Sequence, residues 1–129
     1  MAIDVRRTRG AAGERIAAQH LSEHGYEVLD RNFRTRNGEL DLIAADEECI
    51  VFCEVKTRVS FGRAGPSRGL DAVGPTKRRK LRALARQWLW RNPAGPGRPH
   101  RPGLRFDAIG ITLSPTGALL SLEHVRDAF

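Results

Sequence analysis

Asp41 in "GELDLIAA", and Glu54 and Lys56 in "CIVFCEVKTR", are acids and a base set into otherwise apolar, strand-forming runs. Side chains two apart on a strand share a face, so Glu54 and Lys56 point the same way. If the two runs form a hairpin across the polar turn at 46–48, Asp41 faces Glu54 directly or on a diagonal. Two carboxylates brought this close repel each other unless a cation sits between them. Hard divalent cations such as Mg²⁺ or Mn²⁺ take such oxygen ligands and keep several waters. A lysine beside them can orient or deprotonate an attacking water and offset charge developing on a phosphate. Those are the parts that phosphodiester hydrolysis needs. The same charges also suit the solvent face of a half-buried strand, and spacing alone leaves both readings open.

The elements that must position these residues follow from pattern. Residues 10–25, GAAGERIAAQHLSEHG, read as a helix stopped by Gly25, with Glu14 at the head of an Ala17, Ala18 and Leu21 stripe. Glu14 equally complements the helix dipole. A strand over YEVLDRNFR and an Asn-Gly turn lead into ELDLIAA. There alternation puts Glu39, Asp41 and Ile43 on one face and Leu40, Leu42 and Ala44 on the other. Glu39 either assists Asp41 or pairs with a nearby arginine. Residues 60–75 are Gly/Pro-rich and basic, a mobile surface loop. From Thr76 a helix buries Leu81, Leu84, Ala85, Trp88 and Leu89 and turns Lys77, Arg78, Arg79, Arg82 and Arg86 outward. Trp88 and Trp90 face opposite ways on it, Trp88 into the core.

Residues 92–103, with four prolines and three glycines, form a second loop. LRFDAIGITL and ALLSLEHV pair across the SPTG turn, and Asp107 is expected in a buried ion pair with an arginine. The order helix, three strands, helix, two strands predicts one α/β domain over 1–129, a mixed sheet flanked by helices. Its parallel pairing falls where the second helix crosses over.

The 129 residues carry a net charge of +7, unevenly spread. Between Thr57 and Arg105 stand thirteen Lys or Arg and one acid, Asp71. A basic half of this kind suits a polyanion, nucleic acid being the commonest. Arg58, Arg63 and Arg68, with Lys77, Arg78, Arg82 and Arg86, are the natural phosphate contacts, predicting salt-sensitive and largely sequence-independent binding. No apolar run reaches the ~20 residues that span a bilayer, and the N-terminus lacks an apolar signal core. A cytoplasmic protein is the expectation. Cys49 and Cys53, four apart on one strand and so roughly 13 Å from each other, are too distant for a disulfide. His20 and His24 are expected at the surface, with no third ligand near them in sequence.

The stretch GERIAAQHLSEHGYEVLDRNFRTRNGELDLIAADEECIVFCEVKTR resembles the signature of the YraN family of small bacterial endonuclease-like proteins. The likeness continues through Ala72, Val73 and Lys77, the Trp88-Leu89 helix and RFDAIG. That family is related to the PD-(D/E)xK nucleases, closest to archaeal Holliday-junction resolvases. The resemblance implies a restriction-endonuclease-like fold and Mg²⁺-dependent cleavage of DNA, branched or distorted DNA by analogy. It implies Asp41 as first metal ligand, Glu54 as second, Lys56 as catalytic lysine, and Glu14 as the helix glutamate that completes the site. Cys53 departs from the aliphatic residue usual there and points to the other face. Resolvases cut two strands as symmetric dimers, so a homodimer is a further expectation. A binding module that uses the same fold without catalysis is the alternative.

Overall fold

The computed structural model describes residues 5–61 and 74–129, with side chains from residue 10 onward in the first stretch. Helix α1 (Val5–Glu23) gives way at Gly25, whose φ of 87° lies in the left-handed region that glycine enters at no steric cost. Strands β1 (Glu27–Thr35), β2 (Gly38–Ala45) and β3 (Cys49–Val59) form an antiparallel meander. Helix α2 (Pro75–Arg91) starts on a proline, whose missing N–H costs nothing in a first turn. It leads to β4 (Gly103–Leu113), which runs parallel to β3, and β5 (Leu119–Val125) returns antiparallel at the sheet edge. The sheet order is β1-β2-β3-β4-β5 and the sheet is open; it is mixed, as the element pattern predicts.

Each helix covers one face. Ala17, Ala18 and Leu21 of α1 pack on Leu42, Ala44, Val51, Cys53, Ile109, Ile111 and Leu113. Leu81, Leu84, Ala85 and Trp88 of α2 pack on Leu40, Ile43, Ala45, Ile50 and Phe52. Being covered on both sides, β3 reads as an almost unbroken apolar run before Glu54. Trp88 donates its indole N–H to Asp30 at 2.8 Å, which satisfies the one polar atom of a buried ring. Cys49 and Cys53 are free thiols, and burial pushes the Cys53 thiol well up.

Asp107, fully buried, sits in the expected ion pair. Arg105 donates to its carboxylate at 2.8 and 3.0 Å, to Asp46 at 2.8 Å and to the Tyr26 hydroxyl at 2.7 Å. His124 completes the cluster, its Nε2 lying 2.8 Å from Asp107. The polar knot joins β4 to the β2–β3 turn, the start of β1 and the C-terminal segment. His24 is exposed, while His20 is partly buried and lies 3.1 Å from His124. Among the described residues no helix is long and apolar enough to cross a membrane.

The expected alternation in β2 does not hold. Ile43 and Ala45 face α2 while Leu42 and Ala44 face α1, as a pleat requires, yet Leu40 packs with Ile43 against α2. The parity slips at Asp41. On one side, pairing with β1 passes from Arg31↔Leu42 to Phe33↔Leu40, and Asn32 between them has a φ of 53°. On the other side, the ladder to β3 ends at Leu42↔Cys53, and the Val55 N–H donates instead to the Asp41 carboxylate at 2.7 Å. A strand loosened on both edges twists, so Asp41 leaves the face of Ile43 and turns toward α1.

Helix α1 reaches β3 at Gly13. A Cβ on Gly13 would overlap Thr57 Oγ1 and lie 2.9 Å from Thr57 Cβ, so only glycine permits the approach. The next residue is Glu14. Gly13→Ala is expected to cost ~1–3 kcal/mol, the usual range for overpacking, as a lower urea midpoint at unchanged m. Adding Thr57→Ala should recover part of that loss.

Candidate active site

Three carboxylates converge where β2 loosens. Glu14 from α1, with Glu39 and Asp41 from β2, each offer an oxygen within 4.8 Å of the others. The Asn32 amide, oriented to satisfy its neighbours, donates to Glu14 at 2.9 and 3.2 Å and to Glu39 at 3.0 Å. Arg34 reaches Glu39 from outside at 3.3 Å. Glu39 thus lies in the acidic group and also pairs with an arginine.

Crowding shows in the proton equilibria. Asp41 is pushed up to about 6, mainly by burial and further by the charges of Glu14, Glu39 and Glu54, against a lowering hydrogen bond from Val55. Glu14 is also raised, by burial first and then by Glu39, with Asn32 and two arginines opposing. A cluster that raises its own carboxyls binds protons or cations more tightly than isolated carboxylates do.

Glu54 adjoins this group without entering it. Its carboxylate oxygen Oε1 takes Lys77 Nζ at 2.6 Å and Lys56 Nζ at 3.7 Å. Lys56 and Lys77 remain about half exposed. The site is thus acidic toward α1 and cationic toward α2. Lys77 was expected among the outward phosphate contacts, but its place in the first turn of α2 aims it back at β3.

Arg78, Arg82 and Arg86 are exposed on α2, and Arg58 donates to Thr112 at 3.3 Å. Asp107 lies in the Arg105 knot, and the structure groups no Glu or Asp of the site with it. Arg63 and Arg68 lie outside the described residues. Sequence reasoning passed over Asn32 and the inward role of Lys77. An asparagine inside a strand, a residue type that tolerates positive φ, was the available signal for the first.

Residues 13–111 match the model of the family described as Uncharacterised protein family UPF0102. A protein of this family from Rhodococcus jostii (strain RHA1) is 46% identical over 120 residues, covering 93% of this chain and 94% of its own length. The chain belongs to the UPF0102 family. Other members are similarly close: one from Streptomyces griseus is 43% identical over 124 residues, covering 96% of this chain and 98% of its own. Another, from Anaeromyxobacter dehalogenans, is 41% identical over 126 residues, covering 98% and 87%. The matched span contains Glu14, Asn32, Glu39, Asp41, Glu54, Lys56 and Lys77, every residue of the site.

Proposed function

We propose that this UPF0102 protein is a divalent-metal-dependent endonuclease that hydrolyses DNA phosphodiester bonds, with branched or distorted DNA as its preferred form. The observation that carries the reading is the Glu14, Glu39 and Asp41 group beside a Glu54 carboxylate flanked by two lysines. The donor set is all carboxylate oxygen, and it raises the proton affinity of Asp41, which suits a hard cation such as Mg²⁺ or Mn²⁺. Glu14, Glu39 and Asp41 would hold that ion, with Glu54 in support beside them. A bound divalent cation would supply Lewis-acid stabilisation of phosphoryl charge and a more acidic water.

The remaining work falls to the chain's own groups. Lys56 Nζ, anchored by Glu54, presents a positive charge to a phosphoryl oxygen and a donor to the attacking water. Lys77 Nζ neutralises Glu54 before substrate arrives and can move to the phosphate afterwards. Asn32 holds Glu14 and Glu39 in fixed orientation. The exposed arginines of α2 meet the backbone beyond the scissile bond.

The test is cleavage of labelled single-stranded, duplex, flapped and four-way-junction DNA with Mg²⁺, Mn²⁺ or EDTA. Cutting only with metal, on at least one of these DNAs, is the expected result. Lys56→Ala should lower the rate by ~10²- to 10³-fold, the usual loss for one charge-stabilising group, with DNA affinity nearly unchanged. Tight binding without cutting, indifferent to EDTA, would instead leave a nucleic-acid-binding module.

A further inference from the structure

The outer face of α2 ends in a large apolar side chain with no structural task. Trp90 is 85% exposed, whereas Trp88 two residues earlier is 2% exposed and hydrogen-bonded to Asp30. On a helix Arg79, Ala83, Arg86 and Trp90 follow one another on a single face, and Arg82 flanks it. Because Ala83 is small, a shallow recess opens beside the indole, lined by Ala83, Arg86, Gln87, Trp90 and Arg91. Arg91, also exposed, lies over the Phe33 ring at 5.4 Å from its centre, and Arg86 is a second exposed cation of the recess.

We infer that Trp90 is a stacking platform for an unpaired base, so the strand bound along α2 is single-stranded nucleic acid. Charge complementarity selects this occupant: Arg79, Arg82 and Arg86 are exposed along the same face and suit a phosphate backbone. An indole beside exposed arginines is the combination that holds single strands, because every base offers a π-face. In a duplex those faces are covered by neighbouring pairs. From Lys77, at the site, to Trp90 is thirteen residues of helix or about 20 Å. That is the axial rise alone, and Lys77 and Trp90 lie on opposite sides of the helix, so the path is at least about six nucleotides at the stacked rise of 3.4 Å. The stacked base therefore lies several nucleotides from the bond addressed by Lys56, and the protein would favour flaps, gaps and single-stranded arms. The inference deepens the endonuclease reading and rests on it for the choice of nucleic acid.

Binding in EDTA tests it without cleavage. A short labelled oligothymidylate and a duplex of equal length are titrated with the parent, Trp90→Ala, Trp90→Phe and Arg86→Ala. Position 90 is exposed, so the fold is not at stake. Trp90→Ala should weaken single-strand binding by ~5- to 100-fold, the fold-change for losing one base stack, and leave duplex binding unchanged. Trp90→Phe should retain most of the affinity. The oligonucleotide should quench the parent's tryptophan emission, and Trp90→Phe, left with buried Trp88, should lose that quenching. Because the indole carries no charge, Trp90→Ala should keep the parent's salt dependence while Arg86→Ala reduces its slope by about one. Equal single-strand affinity for the parent and Trp90→Ala, or an equal loss on duplex, overturns the inference. Cleavage of single-stranded, duplex, flapped and four-way-junction DNA with Mn²⁺, run separately, tells the two claims apart. Cutting with no role for Trp90 would sink only the stacking platform, and Trp90-dependent binding without cutting would sink only the nuclease.

Discussion

Asp41→Asn should abolish metal-dependent cleavage and at the same time stabilise the protein at pH 7. The Asp41 carboxyl titrates at about 6 in the folded chain against an ordinary 3.8, because burial and three neighbouring carboxylates disfavour its charge. Between those values the folded state binds more protons than the unfolded one, so stability falls as pH rises through the window. Above it the full penalty stands, on the order of 2–3 kcal/mol. Asparagine carries no charge there and keeps an oxygen to accept the Val55 N–H. Melting should therefore rise by several degrees at pH 7 and be unchanged near pH 4, where Asp41 itself is neutral. The lost carboxylate removes a charge from the proposed ion site, so cleavage should drop by at least ~10²-fold. Mn²⁺ should raise the melting temperature of the parent and not of the variant, since a ligand stabilises only the state it binds. A residue that costs stability and is needed for activity behaves as a site residue does.

Arg105→Met should be the most damaging single substitution for the fold. Asp107 is fully buried, and burial alone would raise its proton affinity; hydrogen bonds from His124, Arg105 and the Asp127 N–H pull it below the usual carboxylate value instead. Removing the guanidinium leaves that buried charge with only His124 and the Asp127 N–H, and takes one contact from Asp46 and one from Tyr26. Breaking a buried pair in this way costs ~3–5 kcal/mol. Chemical denaturation should read the loss directly, and the double variant Arg105→Met, Asp107→Leu should recover much of it, because no buried charge remains. The depressed Asp107 value also fixes the acid limb. Its contribution is present above the unfolded value near 4 and is lost as pH falls, so the parent should weaken steeply on acidification while Asp107→Leu weakens less.

The fold was legible because its pattern is local. Leu81, Leu84, Ala85 and Trp88 repeat with helical period, and Ile50 to Cys53 run unbroken because both faces of β3 are covered. The ion pair of Asp107 was legible too, since an acid among Ile109 and Ile111 needs a cation. The site was legible only in part. Asp41, Glu39 and Glu14 meet, but period-two alternation put Asp41 on the face of Ile43, whereas the interruption at Asn32 turns it toward α1. That turn depends on one positive φ and one N–H diverted from the ladder, and neither has a periodic signature. Lys77 was equally out of reach, because its direction depends on how α2 lies over β3, which sequence spacing does not carry.

The rate at which labelled flapped DNA, which carries both a branch and a single-stranded arm, is cut, as Mn²⁺ is titrated into the parent protein and into Asp41→Asn, tests the proposed metal site most directly. A saturable rise from zero in the parent and a flat line in the variant is the predicted result. No cutting at any Mn²⁺ concentration, or equal rates in both proteins, would contradict it.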